Sequence, residues 1–152
     1  MKNQLLTILL LFVSTFTFAQ FRNTTWGMSK EQVRKIEESK LESGYGSDLI
    51  YNFDIEDMKC RLVYSFNDKN KLISILYKFS SPEWDRHGNK TKIALEKMVA
   101  NIVSKYGPST YNNDNSYFSW SLKDFSIKAS SVRNSEIEVL YTPPAPSLKD
   151  IL

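Results

Sequence analysis

One cysteine and one histidine are all that the 152 residues supply of two residue types on which much site chemistry depends. Cys60 has no second cysteine to pair with, so no internal disulfide forms and the fold stands on packing alone. A histidine-based zinc site, or a Cys–His nucleophile pair, would have to be assembled from His87 together with Cys60 or carboxylates brought from elsewhere in the chain. Gly-x-Ser-x-Gly, a phosphate-binding glycine loop and His-Glu-x-x-His are all missing. The formal charge is only +3, with Lys and Arg interspersed among Asp and Glu. The one-sided basic stripe that nucleic-acid binding needs is therefore absent as well. The sequence offers no catalytic residue, no metal-ligand set and no cofactor site to assign.

What is present begins with an address. MKNQLLTILLLFVSTFTFAQ places Lys2 before an apolar run from Leu5 to Phe18, and Thr17-Phe18-Ala19 closes that run with a small residue. This is the pattern of a secretory signal peptide over residues 1–19, cut between Ala19 and Gln20. The run falls short of the roughly 20 residues that span a bilayer, and no cysteine near the cut could carry a lipid. The expectation is a secreted or periplasmic protein without a stable membrane anchor. Removing 19 of the 152 residues leaves 133, enough for one domain, and the loss of Lys2 lowers the charge from +3 to +2.

Thr24-Thr25-Trp26-Gly27-Met28-Ser29 precedes the first helical pattern. Ser29 and Gln32 have the spacing of a capping box, and Met28 and Val33 that of a hydrophobic staple. Gly27 is expected to allow a tight approach, and Trp26 to be a large apolar anchor on the core. The helix should run from Lys30 to about Leu41, with Val33, Ile36 and Leu41 on its apolar stripe. Three strand-like runs follow, Leu49–Asp54, Met58–Asn67 and Leu72–Ser80, with period two. Asn67-Asp68-Lys69-Asn70-Lys71 joins the last two as a hairpin loop. A second helix carries Leu95, Met98, Val99, Ile102, Val103 and Tyr106 at helical spacing, and Gly107-Pro108 stops it. The runs Tyr117–Leu122, Phe125–Ser131 and Glu136–Tyr141 then repeat the strand pattern. The expected fold is α+β, two αβββ units at about 24–82 and 89–142 within a single domain 20–142, with antiparallel sheet and helices packed on one face. A proline-rich tail, 143–152, closes the chain.

Gly27, Met28, Ser29, Gln32 and Val33, with Tyr106-Gly107-Pro108 at the end of the second helix, carry a resemblance. A short exported αβββ unit that opens in this way resembles the small bacterial envelope proteins of the BamE-type (SmpA/OmlA) and β-lactamase-inhibitor-protein plan. It also resembles secreted proteins that share a Trp-Gly-Met-Ser start. The chain departs from the BamE type in lacking the anchor cysteine of those lipoproteins. The resemblance implies a non-enzymatic, protein-binding role in the envelope and carries over no particular partner.

The residues themselves point to a binding surface on the strands. If Cys60, Leu62, Tyr64, Ile73, Ile75 and Tyr77 face the helices, then Arg61, Val63, Leu76 and Lys78 face outward as a mixed apolar and basic patch. Trp84, on the loop after the third strand, has the character of an anchor residue for a partner. The functional expectation is a non-enzymatic exported protein-binding or inhibitory module of the bacterial envelope, its partner an envelope or secreted protein. The alternatives are a small extracytoplasmic hydrolase using His87 with Asp85 or Glu83, and a purely structural secreted protein.

Overall fold

A computed structural model describes residues 23–43, 46–55, 58–81, 88–114, 116–132 and 135–144. Its first helix, α1 (Lys30–Ile36), is short and held at both ends by polar groups. The Ser29 hydroxyl accepts from the Gln32 N–H at 3.3 Å, and the Gln32 side chain accepts from the Ser29 N–H at 2.8 Å. This is the reciprocal capping box that the Ser29/Gln32 spacing predicts. Val33 is fully buried and Met28 packs against the same core. The preceding turn is a bolt. The Gly27 N–H donates to the Leu72 carbonyl and the Leu72 N–H donates to the Met28 carbonyl, while the Trp26 indole donates to the Asp124 carbonyl at 3.2 Å. Gly27 serves this turn through its backbone rather than through a close approach: its φ is +81°, and a Cβ there would meet nothing within 4 Å.

The helix ends at Ile36, short of the expected Leu41. Glu37 leaves helical geometry, and its carboxylate accepts from the Tyr64 hydroxyl at 2.7 Å and from the Ser39 N–H at 2.9 Å. The chain is thereby turned toward the sheet, and Lys40–Ser43 forms strand β1. Then follow β2 (Asp48–Ile55), β3 (Met58–Phe66) and β4 (Leu72–Ser80), helix α2 (Asn89–Tyr106), and β5 (Thr110–Asn112), β6 (Tyr117–Ser121), β7 (Ser126–Val132) and β8 (Glu136–Thr142).

All eight strands form one antiparallel sheet in the order β1-β2-β3-β4-β8-β7-β6-β5. The expectation of two αβββ units is corrected: the fold is β-rich, with four strands after each helix and a single continuous sheet. The two strands that were not expected, β1 and β5, are its edges. β4 and β8 meet at the centre, with Leu76 opposite Leu140 and Lys78 opposite Glu138.

One face of the sheet holds the core. Leu49, Tyr51, Cys60, Leu62, Tyr64, Ile75, Ile127, Ala129, Ile137 and Val139 are buried together with Val33 of α1 and Leu95 of α2. The expectation that Ile73 belongs to this face is corrected. A bulge between Ser65 and Phe66 shifts the register, so Leu72 sits opposite Phe66 and is buried while Ile73 is 41% exposed. The single cysteine is buried and forms no disulfide.

Candidate interaction surface

The opposite face of the sheet carries a different row of side chains. Ile50 of β2, Val63 of β3, Leu76 of β4 and Leu140 of β8 lie side by side in register, each half-buried. Three interstrand spacings of about 4.8 Å make this band roughly 14 Å wide. Beyond Leu140 the same row becomes polar, with Lys128, Ser119 and Thr110. The apolar band is thus confined to β2, β3, β4 and β8.

The next row is charged. Arg61 of β3 stands directly opposite Lys78 of β4, an arrangement that would be unfavourable for two bare cations. Each has an acidic neighbour: Arg61 lies 3.2 Å from Glu42 of β1, and Lys78 lies 2.6 Å from Glu138 of β8. Lys59 and Asp54 pair at 2.9 Å at the strand ends. The Lys59–Asp54 and Arg61–Glu42 pairs are solvent-exposed and contribute orientation more than stability, whereas Lys78–Glu138 is the more shielded of the three. On the far half of the face, Lys128 sits over the Tyr117 ring at 4.9 Å.

Of the residues that the sequence singles out, Arg61, Val63, Leu76 and Lys78 come together on this face as two directly paired rows. Trp84 lies outside the described residues, as do Glu83, Asp85 and His87 of the hydrolase alternative. Ile50, Leu140, Glu42 and Glu138 complete the surface and escaped the sequence reading. The alternation of Glu136 to Tyr141 marks Leu140 as an outward position, yet nothing local says that β8 pairs with β4 more than 50 residues earlier. No group of three or more His, Cys, Asp or Glu residues able to hold a metal occurs among the described residues. No helix among them is long and apolar enough to cross a membrane.

Comparison with known proteins finds no matching family model, no matching curated protein and no matching solved structure.

Proposed function

We propose that this chain is a non-enzymatic protein-binding module, exported by residues 1–19 to the periplasm or beyond, which meets its partner through the face of its sheet opposite the core. The observation that carries this reading is the aliphatic row Ile50, Val63, Leu76 and Leu140, contiguous across four strands and bordered by Arg61–Glu42 and Lys78–Glu138. An apolar centre with a charged rim is the anatomy of a specific protein interface. The aliphatic side chains supply area that water leaves on contact, and the rim charges govern orientation and salt sensitivity. The resemblance of the Gly27–Val33 opening to small envelope proteins supports a role of this kind.

The test is site-specific photo-crosslinking in the exported protein. A photoreactive residue at Leu76 should trap a discrete partner, whereas one at Ser119, in the same row on the far half, should not. Val63→Glu should abolish the capture made from position 76, with the thermal transition little changed. Equal crosslinking from both positions, or capture that survives Val63→Glu, would remove the interface.

A further inference from the structure

The inner face of the sheet is covered unevenly. With seven residues at 1.5 Å each, α1 is only about 10 Å long. Its ends are tied to Asn70 of the β3–β4 turn and to Tyr64 of β3. On the other side, α2 packs on the core through Leu95 and Met98. Beside α2 a groove of about 720 Å³ remains, within the size range of small-molecule sites. Its floor is Tyr77 and Phe79 of β4 and Val139 and Tyr141 of β8. Ile55 and Ile93 stand on its lips, 39% and 54% exposed. Two aliphatic side chains left in water on facing lips mark an apolar surface that a ligand could complete.

The polar groups of the groove are concentrated on one side. Lys90, Lys97 and Asn101 line it from α2, and Ile93 and Ala94 share their helical face at the i, i+3, i+4, i+7 spacing. No Asp or Glu lines it among the described residues. Lys97 has no ion-pair partner among the described residues. Burial holds the pKa of the Tyr141 hydroxyl up at about 12, with Tyr106 adding to the effect, so the hydroxyl stays neutral. β4 and β8 are central strands whose backbone groups are committed to the ladder, so the floor has none to offer an extended peptide. A peptide would therefore bury amide groups without partners, and a hydrocarbon chain would not.

We infer that the groove between α2 and strands β4 and β8 binds a single-chain anionic amphiphile, its hydrocarbon laid on the Tyr77, Phe79 and Val139 floor and its anionic head on Lys97. The α2 residues that line the groove, from Lys90 to Ile102, span a rise of about 18 Å. This site is independent of the outer face, so its failure leaves the protein-binding reading untouched.

Calorimetric titration of the full chain with dodecanoate, below its micellar range, should give saturable one-to-one binding. Dodecyltrimethylammonium, with the same chain and the opposite charge, should bind at least about tenfold more weakly. Ile93→Glu and Lys97→Glu are both at solvated positions of α2 and should each weaken dodecanoate about tenfold, with an unchanged thermal transition. Phosphatidylglycerol vesicles separate a free single-chain ligand from a bilayer lipid. Dodecanoate binding without co-sedimentation supports the single-chain ligand, and co-sedimentation that is lost in Ile93→Glu would overturn it in favour of a two-chain lipid. Absence of saturable binding to both, equal affinity for the two dodecyl headgroups, or undiminished binding in folded Ile93→Glu would overturn the proposal.

Discussion

The two halves of the sheet solve the same problem by different means. In the half built on β1–β4 the strands are long, with nine residues in each of β3 and β4, and the helix has only seven. In the half built on β5–β8 the longest strands have seven residues and the helix has eighteen. A helix as short as α1 is marginal by itself, and it is secured by polar tethers: the capping box, the Lys30 ammonium on the Gly46 carbonyl at 2.8 Å, and the Tyr64–Glu37 bond. α2 has no side-chain cap at Gly88 and relies on its buried stripe and on aromatic contacts at its end. There Tyr106 meets Phe125 edge-on at 5.4 Å, and the Trp120 indole donates to the Gly107 carbonyl at 3.0 Å. Short helices need their termini fixed, whereas a long one can be held along its length.

The sharpest way to break this comparison is to ask whether the halves are separable at all. β4 and β8 are in register from Ile75 opposite Tyr141 to Ser80 opposite Glu136, and Trp26 reaches from the first half to Asp124 in the second. Leu62→Ala, at a fully buried position of β3, should cost about 2–5 kcal/mol. Ile127→Ala, equally buried in β7, should cost a similar amount. Hydrogen exchange followed by mass spectrometry should show either substitution lowering protection in β3 and β7 together. Loss confined to the substituted half would mean that the central seam does not couple them.

Next in size is the polar clasp of the first half. Glu37 is buried, and the Tyr64 hydroxyl is one of the donors to its carboxylate. Tyr64→Phe removes that donor and leaves a buried charge less well satisfied, at a cost of about 1–3 kcal/mol in urea unfolding. The Tyr51 hydroxyl is buried close by and has no hydrogen-bond partner among the described residues; burial, reinforced by the Glu37 carboxylate and opposed by Arg34, raises its pKa. It therefore remains a neutral donor, placed to take over part of the role that Tyr64 loses. A loss in Tyr64→Phe well below 1 kcal/mol would identify Tyr51 as that substitute, and Tyr51→Phe in the same background should then restore the full cost.

How much of this could be read from sequence follows the same physics. Strands buried on one face carry a period of two, and β3 and β4 were legible because Cys60, Leu62 and Tyr64 alternate with Arg61 and Val63. β1 and β5 are exposed for most of their length and lie at the edges, so no alternation marks them. Leu41 even continues the helical spacing of Val33, and the helix ends sooner where Glu37 meets Tyr64, 27 residues away in sequence. Ile73 keeps the alternation of an inward position, and the bulge that turns it outward changes the face without changing the composition. Arg61, Val63, Leu76 and Lys78 were legible as one surface because they belong to a local hairpin. Leu140 and Glu138 were not, since the β4–β8 pairing joins the two halves across the whole of α2.

The smallest expected effect lies at the N-terminus of α1 and sharpens the contrast with α2, whose N-cap residue Gly88 has no side chain to cap it. Glu31 is held below the usual carboxylate range by its own backbone N–H, with the Ser29 hydroxyl and then the Asn70 amide adding to the effect. Asn70 donates to it at 3.1 Å. A carboxylate whose folded pKa is depressed contributes stability that is present above its ordinary pKa, near 4.5, and is lost as the pH falls through the folded value. Glu31→Gln should therefore slightly lower stability at neutral pH and flatten the decline on the acid side below about 4.5. Ser29→Ala removes the cap itself and should cost about 1 kcal/mol. It should also weaken the pH dependence, because the Ser29 hydroxyl is one of the groups that hold Glu31 down. Thermal melts at a series of pH values check both. If the two variants keep the wild-type acid slope, the polar tethers of α1 are not what distinguishes it from α2, and the short helix must be held by Val33 and the sheet alone.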